Sequence, residues 1–308
     1  MSNSKYHSYP EEHAPFVRHD RYGVMGLEKQ GILERVRLSV AYCTVLPLRL
    51  FTSIALVALF YLVCLAFPKN EQVNRTALRI TARTILLIIG FGSIEVDRGG
   101  EGVPSAGVVC NHVGWTDILI LSSIFGPSFV ARSATKDTPL IGRVSMAMNC
   151  LFVEREKQTD GSREGIATQL KERMKSTYDQ KSRPVVIFAE GTTTNGNYLL
   201  PFKSGAFLAC LPLTLVIVKY TTSTGGVSPA WESISGLRHL CLMLCERRHK
   251  ASVKVLSISP KPGESPKEYC QRARQTMLET ANLSSSKSTF SDKQQYHKRL
   301  RQEHDKFE

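Results

Sequence analysis

The sequence has few of the signals that mark metal-binding, disulfide-rich or hydrolytic proteins. Its eight cysteines include no Cys-x-x-Cys pair and lie mostly in apolar stretches, so we expect neither a metal site nor a disulfide framework. There is no Gly-x-Ser-x-Gly motif, and therefore no sign of a serine nucleophile of that type. The mean hydropathy of −0.14 excludes a protein built mainly of membrane spans.

Acidic residues are also scarce, because 27 Asp and Glu accompany 40 Lys and Arg and leave a formal net charge of +13. Such an excess favours a partner that carries phosphates: nucleic acid, an anionic membrane face or a phosphorylated metabolite. The basic residues are dispersed and form no patch interleaved with aromatics, so we expect no nucleic-acid partner. The 42% of hydrophobic residues suffice for the core of a domain of roughly 200 residues.

Residues 1–37 are polar and form the first of four predicted regions. They lack the basic start and early apolar run of a signal peptide, so we predict a tail that is mobile or draped over the surface. Residues 40–67 are then apolar or weakly polar apart from Arg49. An apolar run of this length favours a membrane anchor over a buried core helix.

The charges around this apolar segment do not indicate one orientation. Basic residues lie on both sides of it, whereas a single span is expected to show an asymmetry. We therefore expect a re-entrant hairpin or a shallow helix pair, with its bend near Pro47 or Arg49.

Residues 73–91 follow with a basic amphipathic pattern in which Arg75, Arg79 and Arg83 are interspersed with or followed by apolar residues. Such a helix either lies in the membrane interface, where it meets anionic lipid heads, or packs on the following domain. Residues 38–92 are thus the predicted anchoring and interfacial region.

From about Ser93 the pattern changes to short β-branched runs that alternate with helical stretches. It predicts an α/β fold, with a mixed, mainly parallel sheet flanked by helices and with function at loops beyond the strand ends. This domain covers residues 93–262, and residues 263–308 are predicted to form a helix and then a disordered tail from Ser284. The predicted strands are residues 106–110, 128–132, 151–155, 184–189, 214–220 and 252–258, and the predicted helices are 116–125, 139–149, 162–178, 204–211 and 231–246.

His112 and Asp117 lie where a predicted strand leads into a helix. On such a loop Asp117 can accept a hydrogen bond from one imidazole nitrogen, which fixes the tautomer and leaves the other nitrogen as a base. Because no motif for a protein nucleophile accompanies the pair, the proton is expected to come from a hydroxyl of the substrate. The spacing alone is a weak signal, since His and Asp are common residues.

Groups suited to anions lie at the ends of other predicted strands. Backbone N–H groups around Gly191 and Thr192 suit a phosphate or a developing oxyanion. Arg155 suits a forked contact with phosphate, and Lys136 and Lys203 are further cationic candidates. Taken singly, these segments are more typical of a polar turn, a surface ion pair or solvated lysines.

In combination and order, the motifs resemble those of the glycerolipid acyltransferase family. The likeness covers about residues 14–280, although Leu215 stands where the family pattern has a proline. The segments that carry it are 112–117, 152–155, 190–192 and Pro212 for the family, 190–195, 202–207 and 229–232 for its lysophosphatidylcholine and lysophosphatidylethanolamine branch, and 16–26 for the plant-type lysophosphatidylethanolamine enzymes.

The resemblance implies an enzyme that transfers a fatty acyl chain from acyl-CoA to the free hydroxyl of a lysophospholipid. His112 would be the general base and Asp117 its orienting group, with acyl-CoA as co-substrate, no cofactor and no metal. It also implies membrane lipids as partners and a place on the endoplasmic reticulum, with the active site facing the cytosol. The implied substrate-binding residues are Arg155, Glu190, Gly191 and Thr192, with Lys136 and Lys203 assisting.

Three alternatives stay open from the sequence. A CoA-independent phospholipid transacylase would use the same residues with a diacyl donor. A lysophosphatidate or glycerol-3-phosphate acyltransferase would differ only in the acceptor, because all these acceptors carry the phosphate that Arg155 would bind. A non-catalytic basic module that binds membranes would need the charge alone.

Overall fold

The computed structural model describes residues 10–99, 105–153, 160–180, 182–222 and 226–304. Its main sheet has the strand order β1-β8-β7-β2-β5-β3-β4, and all neighbours are parallel except β7 and β8. The predicted mixed, mainly parallel sheet is confirmed. The strands are β1 (Ile94–Arg98), β2 (Gly107–Cys110), β3 (Ser128–Arg132), β4 (Leu151–Val153), β5 (Val185–Phe188), β6 (Tyr198–Leu199), β7 (Leu213–Thr221), β8 (Lys250–Ile258) and β9 (Ser284–Ser285).

Helices cover both faces of this sheet, as the predicted architecture requires. Alternate residues of β2 point to opposite faces, so Val108 and Cys110 join one hydrophobic core and Val109 joins the other. The helices are α1 (Ile32–Cys43), α2 (Val45–Ala66), α3 (Glu71–Ile88), α4 (Thr116–Phe125), α5 (Ile141–Ala147), α6 (Asp160–Gln180), α7 (Gly236–Cys245), α8 (Pro266–Ala281) and α9 (Phe290–His304).

Three local elements differ from the sequence prediction. The predicted helix 204–211 is a short 3-10 turn, Ser204–Phe207. The predicted helix 231–246 begins only at Gly236, because Ser233 has a φ of +51° and the Ser235 side chain caps the helix. Strand β1 was not predicted, since it is a largely exposed edge strand without an apolar run.

The apolar N-terminal segment forms α1 and α2, which are interrupted at Thr44 rather than bent at Pro47 or Arg49. Pro47 has no N–H to donate to the Cys43 carbonyl, so the hydrogen bonding of the first helix ends there. The stretch Ile32–Ala66 is long and apolar enough to cross a membrane, and only 11% of its most apolar window is buried. This exposed apolar surface supports membrane association.

Helix α3 packs on α4, which favours the second of the two interpretations of its amphipathic pattern. Its apolar stripe, including Leu78 and Leu86, is buried in the core. The Arg75 side chain donates to the Phe125 carbonyl at 2.9 Å, at the end of α4. This arginine is therefore held by the domain through its Nε.

Both terminal segments pack on the domain. Phe16 is fully buried, so the polar N-terminal segment is draped over the surface from residue 10 onward. The prediction of a disordered tail from Ser284 is wrong for residues 284–304, because β9 pairs with β6 and α9 follows. Tyr296 and Leu300 of α9 form a third core with Phe16. The sequence prediction rested on the polar average composition of the tail, in which these two apolar residues carry little weight.

Candidate active site

The loop between β2 and α4 brings His112 and Asp117 together. His112 Nδ1 lies 2.9 Å from Asp117 Oδ2. The same oxygen accepts hydrogen bonds from the backbone N–H groups of Val113 and Gly114, at 2.7 and 3.0 Å. Asp117 is fully buried, whereas the His112 side chain is 20% exposed. The predicted contact is present, and a catalytic role for it stays a prediction.

This loop is held tightly from both sides. A Cβ atom on Gly114 would lie 2.4 Å from the Pro229 carbonyl oxygen, so a larger residue there would displace the loop. The Trp231 N–H donates to the Val113 carbonyl at 2.9 Å, and the Thr194 N–H donates to the His112 carbonyl at 2.9 Å. Two of the segments that carry the family resemblance thus fix the position of His112.

Tyr220 completes the environment of Asp117 and was missed from the sequence. Its hydroxyl donates to Asp117 Oδ1 at 2.5 Å and accepts from Thr116 Oγ1 at 2.8 Å. Burial, followed by the Asp117 charge, raises the pKa of Tyr220 well above its ordinary value, so the hydroxyl stays protonated. The alternation along β7 indicates only that Val216, Val218 and Tyr220 share one face of the strand. The pairing of β7 with β2, which brings Tyr220 toward Asp117, is seen only in the structure.

Replacement of Tyr220 by Phe should weaken both folding and activity. Asp117 Oδ1 would lose its donor in a buried position, which costs on the order of 1–3 kcal/mol. We expect a lower midpoint of thermal unfolding in detergent and a moderate fall in kcat. Tyr198→Phe is the matched control, since the Tyr198 hydroxyl bonds to no described residue. Equal losses in the two variants would contradict the assigned role.

The second imidazole nitrogen of His112 is left for a substrate. The ring stacks on Phe188, with centroids 3.9 Å apart and planes 15° apart, at the end of β5. His112 Nδ1 is used by Asp117, and no described residue bonds to Nε2. Because His112 also lines a cavity, the geometry presents an oriented base to whatever the cavity holds.

Glu190 stabilises the His112 loop from inside the protein. Its two carboxylate oxygens accept from the backbone N–H groups of His112 and Leu200, both at 2.9 Å. The residue is buried, and burial raises the pKa of its carboxyl to about 8. Both oxygens face backbone donors, so Glu190 holds the His112 loop and the Leu200 segment in place, and its predicted role in substrate binding stays a prediction.

The turn after Glu190 leaves one of the two predicted anion-binding N–H groups available. Gly191 has a φ of +73°, and a Cβ atom there would lie 2.8 Å from Lys203 Nζ, so the turn requires glycine. The Gly191 N–H donates to the Phe188 carbonyl at 3.0 Å. The Thr192 N–H makes no hydrogen bond to a described residue, and Thr192 lines the cavity.

The structure places the predicted cations unevenly. Lys203 lies against Gly191, beside the site. Lys136 Nζ lies 4.8 Å from the centroid of the Phe152 ring, while the neighbouring Thr135 lines the cavity. Arg155 lies outside the described residues, as does the end of the predicted strand 151–155. Its contact with phosphate therefore stays a prediction.

The cavity beside His112 has a volume of about 730 Å³ and is lined by both apolar and polar side chains. The apolar ones come mainly from α2, α3 and α5, and the polar ones include side chains of the Thr192 turn and of α9. Sequence reasoning missed α9 altogether. The apolar residues include Val57, Phe60, Leu78, Ala82, Ile85, Ile141 and Val144, and the polar ones include Thr192, Thr193, Lys293, His297 and Arg301.

Comparisons with known proteins agree with this geometry. The Acyltransferase family model matches residues 98–221. The chain is 33% identical to the lysophospholipid acyltransferase LPEAT1 of Arabidopsis thaliana, over 93% of this chain and 86% of that protein. It is 26% identical to human lysophosphatidylcholine acyltransferase 1, over 84% of this chain but only 51% of that protein.

A solved structure shows the same fold. The crystal structure of the 1-acyl-sn-glycerophosphate acyltransferase PlsC from Thermotoga maritima matches with a TM-score of 0.50 and 15% identity, over 76% of this chain and 96% of that one. Together with the similarity to the plant protein over nearly the whole chain, the motifs around His112 and Glu190 establish membership: the chain belongs to the acyltransferase family that contains the lysophospholipid acyltransferases.

Proposed function

We propose that the protein transfers a fatty acyl group from acyl-CoA to the free hydroxyl of a lysophospholipid. The observation that carries the proposal is the His112–Asp117 pair at the wall of a cavity lined by both apolar and polar side chains. An amphiphile with a polar head and an acyl chain matches such a cavity, and the similarity to lysophospholipid acyltransferases supports the same substrate class.

His112 Nε2 takes the proton from the acceptor hydroxyl as the oxygen attacks the thioester carbonyl. Asp117 holds the ring through Nδ1 and stabilises the imidazolium that forms. When the tetrahedral intermediate collapses, the carbon–sulfur bond breaks and the imidazolium returns the proton to the CoA thiolate. No protein acyl intermediate is needed, and burial raises the pKa of the nearby Cys110 thiol well above its ordinary value, which keeps that thiol protonated.

The Thr192 N–H is the donor best suited to the oxyanion of this intermediate. It belongs to the turn that follows β5, and Thr192 lines the cavity together with His112. A backbone donor fixed before the reaction stabilises the developing charge without reorganisation. Arg155 and Lys203 would hold phosphate nearby, while Glu190 fixes the turn and the His112 loop.

The apolar lining of the cavity is proposed to take the acyl chain. Val57 and Phe60 of α2 and Leu78 of α3 belong to this lining, and α2 also has exposed apolar side chains, such as Leu59 and Leu62. A lipid can therefore reach the site from the membrane side. We propose the endoplasmic reticulum as that membrane, with the site facing the cytosol, where acyl-CoA is available.

The test is an assay of the purified full chain in detergent micelles. One labelled acyl-CoA is offered with lysophospholipids that carry choline, ethanolamine, serine or no alcohol on the phosphate, or with no acceptor. We expect release of free thiol that equals the diacyl product and that depends on the acceptor. Product from a diacyl donor without thiol release would favour the transacylase alternative, and no product with any acceptor would refute the proposed activity.

A further inference from the structure

Helix α9 adds a polar stripe to the cavity that contains His112. Lys293, His297 and Arg301 are spaced four residues apart, so they lie on one face of the helix, and all three line the cavity. We propose that Arg301, assisted by His297, binds a phosphate group of a substrate whose reacting end lies at His112. This inference rests on the proposed acyl transfer and extends the binding site to a segment outside the family-model match.

Lys293 fixes the position of the first turn of α9, and its own charge is engaged by protein groups and not by a ligand. Its Nζ donates to Glu232 Oε1 at 2.7 Å, and to the carbonyl and hydroxyl oxygens of Thr193 at 3.1 and 2.6 Å. Glu232 is fully buried, and burial raises the pKa of its carboxyl to about 7 against the opposing charge of Lys293, so the Lys293 ammonium is committed to these contacts. The contact places α9 directly beside the Thr192 turn.

The neighbouring face of α9 is held by the N-terminal segment. Tyr296 and Leu300 are buried with Phe16, Val17 and Leu200 in the third core. The Ser288 hydroxyl also donates to the Glu12 carbonyl at 2.7 Å, just before the helix. Contacts on two sides therefore set the rotation of the helix, and the face with His297 and Arg301 is directed at the cavity.

The two outer members of the stripe, His297 and Arg301, have no hydrogen-bond or ion-pair partner in the part of the chain that the structure describes. Among the described residues, no carboxylate lies within ion-pair distance of Arg301, and the neighbouring Arg299 is the one that pairs with Glu303. Burial, then the charges of Lys293 and Arg301, lowers the pKa of His297 to about 4, so the ring is neutral at pH 7. Its Nε2 is buried and bonds to no described group.

A phosphate satisfies both groups at once. Its oxygens can accept the forked N–H groups of Arg301 and one N–H of the neutral His297 ring. A carboxylate side chain would serve as well, but none among the described residues is near enough, and the substrates of the proposed reaction bring phosphate with them. The phosphate belongs either to the lysophospholipid or to CoA. The KM values measured separately for the two substrates distinguish these sources.

The experiment compares Arg301→Gln with Arg299→Gln, the same substitution two residues away on the opposite face of the helix. KM is measured for the lysophospholipid at saturating acyl-CoA and for acyl-CoA at saturating lysophospholipid. We expect Arg301→Gln to raise one of the two KM values about tenfold, with a smaller change in kcat, because a charged hydrogen bond is lost. Arg299→Gln should leave both values within about twofold of wild type.

The arm that changes identifies the source: a higher KM for the acceptor assigns the phosphate to the lysophospholipid, and a higher KM for the donor assigns it to CoA. His297→Ala should raise the same KM as Arg301→Gln, and Arg301→Lys should raise it less. Arg301 is exposed, so its variants should unfold at the wild-type temperature.

The inference fails if neither KM changes, or if Arg299→Gln changes a KM as much as Arg301→Gln does, since the effect would then be one of net charge. A second measurement does not depend on turnover. CoA or lysophospholipid should raise the thermal midpoint of wild type and raise that of Arg301→Gln less. Active wild-type protein with unchanged Arg301→Gln kinetics refutes this inference alone, whereas inactive wild type that still shows the difference in thermal shift refutes only the proposed activity.

Discussion

His112→Ala is expected to lower the rate of acyl transfer by roughly two to four orders of magnitude while the protein stays folded. The imidazole is oriented by the buried Asp117 carboxylate, lines the cavity and keeps Nε2 without a described hydrogen-bond partner. After its removal Asp117 still accepts from Val113, Gly114 and Tyr220, so no buried charge is left without donors.

The measurement is kcat with acyl-CoA and one lysophospholipid in detergent, together with the thermal midpoint of each variant. His19→Ala is the matched control, because His19 is exposed and lies in a different pocket from His112. Loss of the stack on Phe188 should lower the midpoint only slightly. A folded His112→Ala protein with wild-type kcat would eliminate the base mechanism.

Local patterns in the sequence were enough to predict the framework of the site. The apolar run before Asn111 and the helical pattern from Thr116 locate a strand, a loop and a helix, and the structure has β2 and α4 at those places. His112 and Asp117 fall on that loop five residues apart, so their contact depends only on local backbone geometry. Features decided within one loop are the ones that sequence patterns report well.

The contact between Tyr220 and Asp117 shows why other parts of the site could not be predicted from the sequence. Tyr220 lies 103 residues from Asp117, and the contact exists because β7 pairs with β2 in a register that places Val216 beside Cys110. Nothing in the apolar run of β7 states which strand will be its neighbour. A polar residue at the end of such a strand acquires a role only through that pairing.

Helix α9 illustrates a second reason why part of the site could not be predicted from the sequence. Its sequence is mostly charged, and the few apolar residues that hold it, Tyr296 and Leu300, need Phe16 and Leu200 as partners. A helix stabilised by tertiary contacts to the opposite end of the chain has no strong local signal. The side chains of α9 therefore line the cavity because the packing of both terminal segments places the helix there.

Asp117→Asn should reduce kcat by about two to four orders of magnitude with little loss of stability. An Asn can keep its oxygen toward His112, Val113 and Gly114 and direct its amide toward the Tyr220 hydroxyl, which can accept as well as donate. The geometry is then retained while the negative charge is removed. The imidazolium that forms during proton transfer loses its stabilising partner. The chemical step is therefore slower, whereas the affinity for both substrates is unchanged.

The comparison with Tyr220→Phe separates charge from packing, because that variant keeps the Asp117 carboxylate and removes one of its donors. Of the two variants, Asp117→Asn should have the lower kcat, and Tyr220→Phe should have the lower thermal midpoint. KM values for both substrates should stay within about threefold of wild type in Asp117→Asn, since a rate loss of this size reports transition-state stabilisation. If Asp117→Asn retained more activity than Tyr220→Phe, the carboxylate would act through position alone and not through its charge.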